Sequence, residues 1–99
     1  MTGEVGTYPY MAPELFHGEE PSMKCDMWSF GCTLYEICML RPAFQGENKL
    51  ALSQIIVDRK LEEINGPYSE DLMNLIYKLL ASNPDERPYA WEVLEMDFI

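Results

Sequence analysis

The sequence predicts a single all-α domain. Apolar residues recur at helical spacing, capping residues and prolines stand where helices would start and stop, and no segment alternates like a half-buried strand. Ninety-nine residues suit one small domain and leave no room for two. With 47% hydrophobic and 24% charged residues, the chain reads as globular rather than disordered. No internal repeat or low-complexity linker divides it.

Residues 1–10 contain Thr2, Gly3, Gly6, Thr7 and Pro9 and read as an irregular loop. Met11 to His17 suits one or two helical turns, entered through Ala12-Pro13 because a first turn tolerates proline; Gly18 to Pro21 breaks them. Ser22 is the expected N-cap of a helix running to about Leu40. Arg41-Pro42 stops it, since the residue before proline avoids the α region. Met27, Trp28, Phe30, Leu34, Tyr35, Ile37, Met39 and three cysteines cover every side of this helix. A helix apolar all round has to be buried on all sides, so it is the expected central post. Asn48 to Arg59 reads as a second helix, and Leu61 to Tyr68, with Gly66-Pro67, as a loop. Ser69 then caps an amphipathic helix in which Leu72, Leu75, Ile76, Leu79 and Leu80 recur at helical spacing. Asn83-Pro84 ends it, and Ala90 to Met96 supplies a short last helix.

The formal charge of -10 argues against a nucleic-acid or anionic-membrane binder, which needs clustered Lys and Arg. Glu19-Glu20 and Glu62-Glu63 are candidates for meeting a basic partner, against the plainer reading of a solvated acidic face. Cys25, Cys32 and Cys38 form no CxxC pair and fall in one predicted helix. They read as reduced structural thiols of an intracellular, cytoplasmic protein. The lone His17 is too little for a metal or a catalytic thiol, and no metal site is expected. No signal peptide is visible, and the apolar stretch Met27 to Leu40 is too short to span a bilayer and carries Glu36.

Three motifs follow one another in a telling order. Gly6-Thr7-Tyr8-Pro9-Tyr10-Met11-Ala12-Pro13-Glu14 precedes Asp26-Met27-Trp28-Ser29-Phe30-Gly31, and Asn83-Pro84-Asp85-Glu86-Arg87-Pro88 comes last. In that order and spacing they resemble the second half of a eukaryotic protein kinase domain, whose activation segment ends in Ala-Pro-Glu. Arg41-Pro42-Ala43-Phe44-Gln45 and Pro67-Tyr68-Ser69 through Leu72 look most like the NIMA-related Ser/Thr kinases. Gly6 through Tyr10 also echoes tyrosine-kinase-like Ser/Thr families. The resemblance implies a partial kinase domain over 1–99, with the end of the activation segment and the substrate-binding loop in 1–10. Residues 11–99 would then be the helical C-lobe, about five helices in all.

It also implies roles. Glu14 would pair with Arg87 and clamp the substrate-binding loop to the turn before the last helix, against the plain alternative of two unrelated surface charges. A guanidinium fork matches a carboxylate bidentately, as lysine does not. The Asp matching Asp26 anchors the backbone of the catalytic loop; the alternative is simple complementarity to a helix N-terminus. If buried here, Asp26 would carry a desolvation cost. Gly6, Thr7, Tyr8, Pro9 and Tyr10 resemble the loop that receives substrate, and a threonine at Thr7 goes with Ser/Thr specificity. Thr2 is a candidate activation-loop phosphosite or a plain solvent-facing threonine.

Phosphoryl transfer needs a Gly-rich phosphate cover, a strand lysine, a catalytic Asp with its Asn, and an Asp before Phe-Gly for Mg. No GxGxxG, His-Arg-Asp or Asp-Phe-Gly occurs, so no catalytic residue is assigned, and ATP and Mg belong to the parent family only. Met1 falls inside the activation segment and Asp97-Phe98-Ile99 near the usual domain end. A fragment of a Ser/Thr kinase, inactive alone and lacking an upstream half, is therefore expected. The alternative is a non-catalytic module that docks protein substrates or regulators, chiefly through the Asn48–Arg59 helix; an unrelated helical adaptor is a third reading. Without helices that the family packs around Trp28 to Leu40, part of that stretch should face water. The isolated chain should then be helical yet poorly cooperative on heating, or oligomeric.

Overall fold

The computed structural model describes residues 10–97. Among them are four α-helices: α1 (Met23–Met39), α2 (Lys49–Val57), α3 (Glu70–Leu79) and α4 (Ala90–Leu94). Two 3-10 helices, Pro13–His17 and Pro84–Glu86, complete the regular structure, and no strand occurs among the described residues. The architecture is an all-α, C-lobe-like bundle.

Local chemistry sets most boundaries. Ser22 accepts a hydrogen bond from the Lys24 amide, Asn48 from Ala51 and Ser69 from Leu72, so each cap satisfies a donor that its helix leaves free. Pro13 opens the first 3-10 helix, and Gly18 closes it at φ 81, a left-handed conformation that costs glycine nothing. α1 stops at about Leu40 as expected, where Leu40 takes the left-handed cap at φ 59 just before Arg41-Pro42. The last helix ends at Leu94 rather than Met96.

α1 is the spine. It crosses α3 at Gly31, where a Cβ would stand 2.8 Å from the Cβ of Leu79, so only glycine admits this approach. Trp28, Cys32 and Tyr35 on its inner side join Phe44, Leu52, Ile56, Ile76 and Leu80 in the main core. Trp28 is fully buried and stacks on Phe44, with centroids 5.4 Å apart. A smaller cluster of Met27, Leu75, Leu79 and Val93 ties α1 to α3 and α4. The long loops are pinned by tyrosines: Tyr35 donates to the Glu62 carbonyl at 2.8 Å and Tyr68 to the Cys38 carbonyl at 2.7 Å.

The expectation that α1 is buried on every side is corrected. Met23, Phe30 and Ile37, seven residues apart, are 55%, 40% and 64% exposed, because no described element packs on that side. The expected exposure of part of Trp28 to Leu40 is what the structure has.

Candidate functional site

The site is built where the first 3-10 helix, the start of α1 and the loop before α4 meet. Ala12-Pro13 directs the chain inward, and Ala12, Pro13 and Glu14 are buried. Arg87 is buried too, after the 3-10 turn that Asn83 and Pro84 set. The Arg87 guanidinium donates to both Glu14 carboxylate oxygens at 2.8 Å. Its three other N–H groups reach the carbonyls of Ala81 at 2.9 Å, Lys24 at 2.9 Å and Ser82 at 3.4 Å. All five donors of the fork are used. Cys25 Sγ adds a third contact to the Glu14 carboxylate, donating at 3.2 Å.

Burial alone would push Glu14 up. Hydrogen bonds from Arg87, the backbone and Cys25, together with the Arg87 charge, outweigh it and hold the carboxyl below its ordinary value. A lowered folded-state value means Glu14 contributes stability above the unfolded-state value and loses it as pH falls through the folded one. Acid titration followed by far-UV circular dichroism should therefore show destabilisation that sets in through the ordinary glutamate range and continues below it. Glu14→Gln should be less stable at neutral pH and show less of that acid loss.

Lys24 and Glu36 were missed in the sequence. Lys24 is buried, its ammonium donating to the Arg87 carbonyl and lying 3.7 Å from the centre of the Tyr89 ring. The signal was a lone cation two residues into an otherwise apolar helix. The Tyr10 hydroxyl donates a hydrogen bond to the Glu36 carboxylate, and Ser29 donates to the Tyr10 carbonyl at 2.7 Å, fixing Tyr10 on α1. The Glu36 hydrogen bond, burial and the Glu36 charge push the Tyr10 hydroxyl up.

Of the singled-out residues, Tyr10, Glu14, Asp26 and Arg87 are described; Thr2, Gly6, Thr7, Tyr8 and Pro9 lie outside the described residues. Asp26 is exposed, so the desolvation cost considered for it does not arise: it sits on the outer side of α1. The fold brings Glu14 and Arg87 together with Lys24 and Cys25, and places Asp26 and the Tyr10–Glu36 pair elsewhere on α1.

The family model for the protein kinase domain matches residues 1–99. This chain belongs to the protein kinase family. It is 42% identical over 91 residues to a serine/threonine-protein kinase of Caenorhabditis elegans, covering 92% of this chain and 9% of that protein. It is 36% identical to serine/threonine-protein kinase Nek1 of Mus musculus over 95 residues, 96% of this chain and 8% of the relative. A probable serine/threonine-protein kinase, nek3 of Dictyostelium discoideum, is 41% identical over 96 residues, again 96% and 8%. The chain thus matches NIMA-related kinases and spans about a tenth of the length of these relatives, as a helical C-lobe portion of the kinase domain.

Among the described residues no group of three or more His, Cys, Asp or Glu could hold a metal ion, and the sequence has no Gly-rich phosphate cover. No helix among the described residues is long and apolar enough to cross a membrane.

Proposed function

We propose that these 99 residues form the substrate-facing C-lobe part of a NIMA-related Ser/Thr protein kinase. The parent transfers the ATP γ-phosphoryl group to Ser or Thr of protein substrates, and this part alone is inactive. The observation that carries the reading is the Arg87 fork on Glu14, which ties the Ala-Pro-Glu segment to the loop before α4 across 73 residues. A bidentate, fully engaged guanidinium gives that segment one fixed path. That path gives a rigid base to the residues assigned to substrate binding, Gly6 to Tyr10, and Tyr10 on Glu36 continues the anchoring. Thr2 is the proposed phosphosite upstream of it, and the exposure of Asp26 on α1 leaves its carboxylate accessible to anchor a catalytic loop of the parent.

ATP and Mg act in the parent, held by parts outside this sequence. Protein substrates and regulators are the partners, including a kinase half that completes the domain. A cytoplasmic setting is supported by three cysteines that form no disulfide, two of them buried; burial pushes Cys32 up to about 12, which leaves it unreactive.

The test is an assay of the purified chain with radiolabelled ATP, Mg and casein, beside a reading of the coding sequence upstream of Met1. No incorporation, with in-frame His-Arg-Asp and Asp-Phe-Gly upstream, is expected. Transfer by the chain alone would sink the proposal. A start at Met1 would favour the second reading, a binding module docking through α2, whose Leu50 is 72% exposed.

A further inference from the structure

A serine or threonine with a carboxylate three positions later is the pattern that an acidophilic protein kinase reads. Among the exposed described residues two fit it: Thr33, before Glu36, and Ser82, before Asp85. Local structure separates them. Thr33 lies within α1 and donates its hydroxyl to the Ser29 carbonyl at 3.1 Å. Ser82 lies between α3, which ends at Leu79, and the 3-10 helix that starts at Pro84. Its hydroxyl makes no hydrogen bond among the described residues, and Asp85 and Glu86 after it are exposed. A modifying enzyme takes its substrate extended, which a linker supplies and a helix interior does not.

The surroundings of Ser82 suit a phosphate. It lines a cavity of about 540 Å³ whose charged walls are Arg59, Lys78 and Glu86, two cations to one carboxylate. Arg59 is held there in a left-handed backbone at φ 53, which is uncommon outside glycine. Its guanidinium donates to the carbonyls of Leu80 and Tyr77 at the end of α3. Three of its five N–H groups are left without a partner among the described residues. The Lys78 ammonium, on an exposed residue, makes no hydrogen bond or ion pair among them. These walls are polar, unlike the apolar outer side of α1, so no covering element is called for.

We propose that Ser82 is a phosphorylation site for an acidophilic protein kinase, its phosphate being received by Arg59 and Lys78. In the modifying step Ser82 Oγ bonds to the γ-phosphorus of ATP and the bond to the bridging oxygen breaks. ADP leaves, and the hydroxyl proton passes to the modifying enzyme. The phosphate dianion then takes charge-assisted hydrogen bonds from both cations. Arg87 already donates to the carbonyls of Ala81 and Ser82, so fastening Ser82 to α3 stiffens the wall on which the Glu14 clamp rests.

The experiment treats the full 99-residue chain with purified casein kinase II, ATP and Mg, and maps the modified residue by mass spectrometry. One phosphoryl group is expected, on Ser82, and none on that position in a Ser82→Ala chain. The Arg87 amide, bonded to the Pro84 carbonyl, should then exchange at least about threefold more slowly by NMR, a gain that shrinks in high salt. Arg59→Gln and Lys78→Gln should still be phosphorylated, and each should lose most of that gain. Arg59 also holds the end of α3, so Lys78→Gln, at an exposed position, carries the test if the first variant unfolds. Modification at Thr33 or Ser69 instead of Ser82, no modification, an unchanged Arg87 exchange rate, or a gain that survives Lys78→Gln would each overturn the inference.

Discussion

Arg87→Met should cost the chain about 3–5 kcal/mol of stability, the range for breaking a buried ion pair and leaving its partner charged and alone. Against a total of about 5–15 kcal/mol for a domain of this size, that is a large share. Arg87→Lys should fare little better. A lysine keeps the charge but places three donors on one atom, where Arg87 serves five acceptors on four residues in one plane. Urea unfolding followed by circular dichroism measures both.

The double variant Glu14→Leu with Arg87→Met separates the pair from the network. Removing the stranded carboxylate should make the double variant more stable than Arg87→Met alone, although it carries two lesions. Recovery should stay incomplete, because the carbonyls of Lys24, Ala81 and Ser82 still lose their donor. Simple additivity of the two single losses would sink the coupling. Failure of either substitution to alter stability would show that the contact contributes nothing.

Why so much of the bundle was legible follows from local chemistry. Ser22 and Ser69 announce their helices because a short polar side chain at an N-cap acts on its own next turn, without reference to the rest of the molecule. The α3 stripe reads correctly for a similar reason: polar residues on one side leave a single face to bury, and Leu75, Ile76 and Leu79 are buried. α1 resisted the same logic. Its side chains are apolar all round, so the pattern demands burial everywhere, whereas burial of Met23, Phe30 and Ile37 depends on what stands beside them. Lys24 and the Tyr10–Glu36 contact were illegible because each joins positions far apart in sequence, 63 and 26 residues, with no motif to link them. Glu14 and Arg87 are as distant, yet each sits in a motif of the kinase family, which is what brought them together on the page.

Trp28→Ala is expected to be comparably damaging, at about 3–5 kcal/mol, since a fully buried indole leaves a cavity that its neighbours fill only in part. Two further contacts go with it: the stack on Phe44, and the Arg87 guanidinium carbon 5.0 Å from the ring centre. Trp28→Phe makes the sharper test. The indole Nε1 is buried without a hydrogen-bond partner among the described residues, so phenylalanine forfeits no hydrogen bond and removes an unsatisfied donor. It keeps an aromatic face for Phe44 and Arg87, and should cost less than half of what alanine costs. Trp91→Ala is the control: that ring is 53% exposed and stacked only on Tyr89, and its loss should stay within about 1.5 kcal/mol. A Trp28→Phe variant as unstable as Trp28→Ala would mean that an aromatic face alone does not hold the spine helix in place and that the full indole is required.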